Sequence, residues 1–131
     1  MSNSKMYSLT INREMNARAS SVFDAVREGV LFLGCGAQKD SLKIDFRVGG
    51  KYFISFGADG EVNGEFTEIV PNQKIAFTWS HNNTRVAIQI QDKGNKSLLT
   101  LTHELIPSED WIEAYRGGWE DGLKSLASVG A

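Results

Sequence analysis

At 131 residues, with 41% hydrophobic and 23% charged side chains, the chain has the makeup of a single globular domain spanning 1–131; it is too short for two ordinary domains and unlike disordered, collagen-like or coiled-coil sequences. A net charge of −2 and a pI near 5.7 provide no basic field to neutralise phosphates, so nucleic acid is excluded as an expected partner. No run approaches the roughly 18 apolar residues of a spanning helix, Met1-Ser2-Asn3-Ser4-Lys5 has no apolar signal region, and the single Cys35 has no internal disulfide partner, so a cytoplasmic location without membrane insertion is expected.

In chain order, Met6 to Met15 alternates as a strand with Tyr7, Leu9 and Ile11 facing inward. Ser20 and Ser21 are candidate N-caps of a short helix, with Asp24 in its first turn, Val22, Phe23 and Val26 on its apolar stripe, and an end near Gly29. Val30 to Leu33 continues as a second short helix up to Gly34-Cys35-Gly36. Lys43–Val48 and Lys51–Phe56 read as strands joined at Gly49-Gly50 in a hairpin. Asp59-Gly60, Pro71-Asn72, Asn82-Asn83 and Gly94-Asn95 then punctuate strands at Glu61–Val70, Lys74–Trp79, Arg85–Gln91 and Ser97–Ile106, which makes seven strands, six of them consecutive. Ser108, followed by Glu109 and Asp110, starts a long helix in which Ile112, Tyr115, Trp119, Leu123 and Leu126 recur at steps of 3, 4, 4 and 3 and share one face.

Several residues have both a chemical and a structural reading. Trp111, Tyr115 and Trp119 drift only about 40° per four-residue step around a helix; they are either ordinary core or the wall of a ligand cavity, with indole N–H and phenol O–H groups to orient a planar molecule. Gly118 and Gly122, four apart on one face, each cost about 1 kcal/mol against alanine, which points to close helix–sheet packing, a bend, or space left for a ligand. His103 shares a strand face with Leu99, Leu101 and Leu105; it is either a hydrogen-bonded structural histidine or the one inward candidate for an acid or base. His81, beside the Asn82-Asn83 turn, reads as solvated. Glu61, Asn63, Glu65 and Thr67 alternate with Val62, Gly64 and Phe66 and read as the solvated side of a strand. Cys35 reads as a small buried hydrophobe. Two histidines 22 residues apart and one cysteine make no metal-ligand spacing, and no cofactor motif is present, so neither metal nor cofactor is expected.

The order strand, two short helices, meander and long C-terminal helix resembles the helix-grip (START-like, SRPBCC) superfamily, and within it the group named after the activator of heat-shock-protein-90 ATPase. The resemblance rests on Gly49-Gly50, on the run Val62-Asn63-Gly64-Glu65-Phe66-Thr67-Glu68-Ile69-Val70-Pro71, on Thr78-Trp79, on Leu99-Thr100-Leu101-Thr102-His103, and on Gly118-Trp119 with Leu123 and Leu126. It implies an α+β fold in which a curved antiparallel sheet grips the last helix around a cavity. Better-characterised chaperone activators of that group carry a separate N-terminal domain for which 131 residues leave no room, so chaperone activation is not the expected role.

The expected function is a module that holds a small apolar or aromatic ligand between sheet and helix, with walls at Phe32, Phe46, Phe66, Phe77, Trp79, Ile88, Leu101, His103, Tyr115 and Trp119. Two alternatives belong to other classes. An enzyme of the polyketide cyclase or isomerase kind would need His103 as its acid or base. An interaction protein with a weak partner such as a chaperone would need an exposed patch.

Overall fold

A computed structural model of the chain describes residues 6–128, so the expectations placed on Met1 to Lys5 lie outside the described residues. The elements are β1 (Tyr7–Met15), α1 (Ala19–Arg27), α2 (Val30–Gly34), β2 (Lys43–Ile44), β3 (Lys51–Ser55), β4 (Glu61–Val70), β5 (Lys74–Trp79), β6 (Thr84–Asp92), β7 (Ser97–Ile106) and α3 (Ile112–Ala127). The strands form a seven-stranded antiparallel sheet in the order β1-β7-β6-β5-β4-β3-β2. Its N-terminal strand pairs with its last one, so only β1 joins the sheet out of sequence. α3 packs across the inner face of the curved sheet beside α1 and α2.

Alternation decides which side chains enter the core. Ile75, Phe77 and Trp79 of β5, Val86, Ile88 and Ile90 of β6, and Leu99 and Leu101 of β7 are buried on the inner face, while Glu61, Asn63, Glu65 and Thr67 of β4 are exposed on the outer one. Trp119, Leu123 and Leu126 of α3 close the core from above.

Local details depart from the expected ones. α1 begins after Arg18, so Ser20 and Ser21 lie inside it and neither caps it; Asp24, beyond the first turn, pairs instead with Arg27 at 3.2 Å. The Lys43–Val48 strand shrinks to Lys43–Ile44, which pairs antiparallel with β3 as expected, but the connection is the longer segment 45–50 rather than Gly49-Gly50 alone. From Asp45 onward the chain folds on itself through Arg47 N–H to the Asp45 carbonyl (2.9 Å) and Gly50 N–H to the Arg47 carbonyl (2.8 Å), and Gly49 N–H reaches across to the Phe66 carbonyl. A Cβ on Gly50 would sit 2.0 Å from the Asp45 carbonyl oxygen, so the close approach requires glycine. Leu105 does not share the face of His103: a bulge in the β1–β7 pairing turns it outward at φ 64°, 41% exposed, and Ile106 takes the inward place. A non-glycine residue in that region costs about 1–2 kcal/mol.

One glycine of α3, Gly122, serves a helix–helix contact rather than the helix–sheet contact or bend expected. A Cβ on Gly122 would lie 2.7 Å from both the Leu31 carbonyl oxygen and Cys35 Sγ, and one on Gly34 would lie 2.8 Å from Gly122 Cα, so α2 and α3 cross backbone against backbone. Gly117 and Gly118 have nothing within 4 Å of an added Cβ. Gly122→Ala is therefore expected to destabilise by about 1–3 kcal/mol, overriding its gain in helix propensity. Gly117→Ala, exposed and unobstructed, should stabilise by up to about 1 kcal/mol. Urea denaturation of the two variants checks the contrast.

Candidate functional site

The N-terminal half of α3, the β5–β6 turn, the turn before β4 and the end of α2 enclose an open pocket of about 490 Å³. Phe56, Val62, Trp79, Trp111, Tyr115 and Trp119 form apolar walls; Ala114, Gly118 and Cys35 keep it open with small groups; Asp59 and His81 are its polar members. Trp111, the residue that caps the start of α3, and Tyr115 in its first turn form a near-parallel stack, with ring centres 5.9 Å apart and planes 26° apart. Trp79 meets Trp119 at 5.0 Å. Cys35 Sγ–H donates to the Gly118 carbonyl at 3.1 Å, and burial pushes its pKa up to about 12, so it is a packed thiol and no nucleophile near neutral pH. A larger depression, about 760 Å³, lies at the other end of β5 and β6, but polar loop residues such as Arg18, Asn72, Asp92 and Asn95 dominate its lining.

Two hydrogen-bonded histidine networks underlie the pocket. His103 is fully buried, and both of its ring nitrogens are engaged: Trp119 Nε1–H donates to Nδ1 at 2.9 Å, and Nε2 meets Thr84 Oγ1 at 2.7 Å. Because Nδ1 must accept, Nε2 carries the proton and donates to Thr84, whose hydroxyl passes on to the His81 carbonyl at 3.2 Å. Burial, and after it the proximity of His81, lowers the His103 pKa from 6.5 to about 4, which keeps the ring neutral and structural. The second network sits at the pocket itself. His81 is exposed, as expected, but Nδ1 lies 2.6 Å from Tyr115 Oη, its ring stands edge-on to Trp111 at 4.6 Å, and Asn82 Nδ2 donates to the same phenol oxygen at 2.9 Å. Asn82 and Asn83 hold the turn at φ 62° and 50°, a left-handed conformation that asparagine tolerates. Burial raises the Tyr115 pKa.

Of the residues expected to line a cavity, Trp79, Tyr115 and Trp119 line this pocket. Phe32, Phe66, Phe77, Ile88 and Leu101 are closed into the core, 0–3% exposed, and His103 lies directly beneath Tyr115, with ring centres 4.3 Å apart. Phe32 stacks on Tyr52 at 5.3 Å, and Phe66 and Phe77 pack edge-on at 6.1 Å, so aromatic rings fill the space between mid-sheet and helix where ligand was expected. Phe46 is half-buried against Phe23 and Phe66, away from the pocket, because its segment is not a strand. Alternation marks an inner face but cannot say which inner residues other side chains cover. The pocket members that were missed, Cys35, Phe56, Asp59, Val62, His81 and Ala114, come mostly from turns and element ends whose placement depends on long-range pairing.

A curved antiparallel sheet closed over by a C-terminal helix, with two short helices after its first strand, defines a helix-grip domain. The chain belongs to the family described as "Activator of Hsp90 ATPase homolog 1-like protein", whose profile matches residues 16–131. It is 30% identical over 93 residues, 63% of this chain and 26% of the other, to the mouse (Mus musculus) "Activator of 90 kDa heat shock protein ATPase homolog 1". The chain thus spans about a quarter of the length of the curated relatives it matches. Among solved structures, an HSP90 activator from Plasmodium falciparum superposes with TM-score 0.72 at 26% identity, covering 91% of this chain and 92% of that one. The Aha1 dimer from Colwellia psychrerythraea superposes with TM-score 0.78 at 16% identity, over 92% and 93% of the two chains, a likeness of fold alone. Among the described residues, no helix is long and apolar enough to cross a membrane.

Proposed function

We propose that the protein binds a small, largely apolar aromatic molecule in the pocket between the N-terminal half of α3 and the ends of β4 and β5. The observation that carries this reading is the convergence of Phe56, Trp79, Trp111, Tyr115 and Trp119 on one opening of about 490 Å³, a size and lining typical of small-molecule sites. Trp111 is 38% exposed in this wall, a large ring left facing open space. Acid–base chemistry through His103 has no geometric support, because both ring nitrogens are committed to Trp119 and Thr84. A thermal-shift screen of small aromatic and lipid-like compounds tests the proposal. Micromolar binders should raise the unfolding free energy by about 2.7 kcal/mol at a hundredfold excess over Kd, and Trp111→Ala should blunt that response with little effect on the free protein. If no compound shifts the wild type, the reading fails.

Family membership favours one second reading, contact with a chaperone such as the one in the mouse relative's name. Calorimetric titration against purified Hsp90 separates the two readings, since a chaperone contact would release heat that aromatic ligands do not compete away.

A further inference from the structure

The hydrogen bonds around Tyr115 determine which proton His81 carries. Asn82 Nδ2–H donates to Tyr115 Oη at 2.9 Å, so the phenol proton needs an acceptor of its own, and His81 Nδ1 at 2.6 Å is the one within reach. If Nδ1 carried the proton instead, the phenol oxygen would receive two donors while its own hydrogen had none, and that N–H would also face the Asn82 amide at 3.4 Å. Nδ1 therefore accepts, and Nε2–H is left as a donor without a hydrogen-bond partner among the described residues, on a ring that lines the aromatic pocket. The ring is held in place by its edge contact with Trp111 and by a turn with two successive left-handed asparagines. The pocket lining includes one formal charge, the Asp59 carboxylate, and no lysine or arginine.

We infer that His81 is the polar anchor of the pocket and that the ligand is a planar aromatic molecule bearing an uncharged hydrogen-bond acceptor, such as a ring-attached carbonyl. This rests on the aromatic pocket being a ligand site, as proposed above. The walls take the ring, His81 Nε2–H takes the acceptor, and Asp59 disfavours an anion in its place. Tyr115 and Asn82 act through His81 as positioning residues: they keep the imidazole in the Nε2–H tautomer and fix its orientation.

Two probes of matched shape test this. Wild-type protein is expected to bind 3-acetylindole about 3- to 10-fold more tightly than 3-ethylindole, the difference made by one hydrogen bond. His81→Phe should abolish that preference, so that the two probes bind with equal affinity. Long-range ¹⁵N–¹H correlation spectra should find His81 in the Nε2–H tautomer, with Tyr115→Phe abolishing that preference, a readout that a purely structural role would not move. Equal binding of the two probes by wild type, or a His81 Nδ1–H tautomer, overturns the anchor while leaving the pocket intact as a ligand site. Binding of neither probe overturns both.

Discussion

Replacing Trp119 with alanine is expected to lower the unfolding free energy by about 3–5 kcal/mol, the range for truncating a buried aromatic side chain to alanine. The indole is 2% exposed, packs on Trp79 at 5.0 Å and donates its N–H to His103 Nδ1 at 2.9 Å. Truncation removes the ring contacts and also leaves a buried acceptor without its donor. Trp119→Phe separates the two effects, since it keeps most of the volume and loses only the N–H, at about 1–3 kcal/mol. Urea denaturation with an unchanged m-value reads both losses. A loss below about 1 kcal/mol for the alanine variant would mean that the ring borders an adaptable opening rather than closing the core.

Acid should destabilise the protein through His103. The pKa of the ring is about 4 in the folded state against 6.5 for an ordinary histidine, so between those values the unfolded chain binds the extra proton and the folded one does not. Stability therefore rises with pH across that window: the contribution is fully present above about pH 6.5 and is lost as pH falls towards 4. At 1.36 kcal/mol per pKa unit, the loss is roughly 3 kcal/mol. Urea midpoints at pH 7 and pH 4.5, compared between wild type and His103→Gln, check this. The variant should be less stable at pH 7 and should lose less than wild type on acidification. An equal drop in both proteins would assign the acid sensitivity to other groups.

The long strands and the C-terminal helix were legible because each carries a repeating pattern between strong punctuators. Glu61–Val70, Lys74–Trp79 and Ser97–Ile106 have the expected bounds, stopped by Pro71-Asn72, by the Asn82-Asn83 turn and by the Pro107-Ser108 helix start. Short-range signals misled where tertiary contacts override them. Ser20 looked like a cap, yet Arg18 takes that position without a side-chain bond. Gly49-Gly50 looked like a complete two-residue turn, yet it is the end of a longer folded-back connection between β2 and β3 in which Gly50 allows close backbone approach. Leu105 broke its strand's alternation at a bulge that alternation alone does not reveal. The site was half legible for the same reason. Tyr115 and Trp119 follow from helix periodicity and Trp79 from its strand, whereas His81 becomes a pocket residue only when the β5–β6 turn is brought under α3.

If the cluster of rings at the N-terminal half of α3 is a ligand site and the mid-sheet core is closed, an aromatic ligand touches the first and not the second. Chemical-shift mapping during titration with an aromatic binder from the thermal-shift screen tests it most directly. Perturbations are expected at the indole N–H groups of Trp79 and Trp111, at the amides of Ala114, Tyr115 and Gly118, and at His81, with Ile88 and Leu101 unmoved. Shifts confined to the polar depression around Asn72 and Asn95, or to the outer face of the sheet, would contradict it.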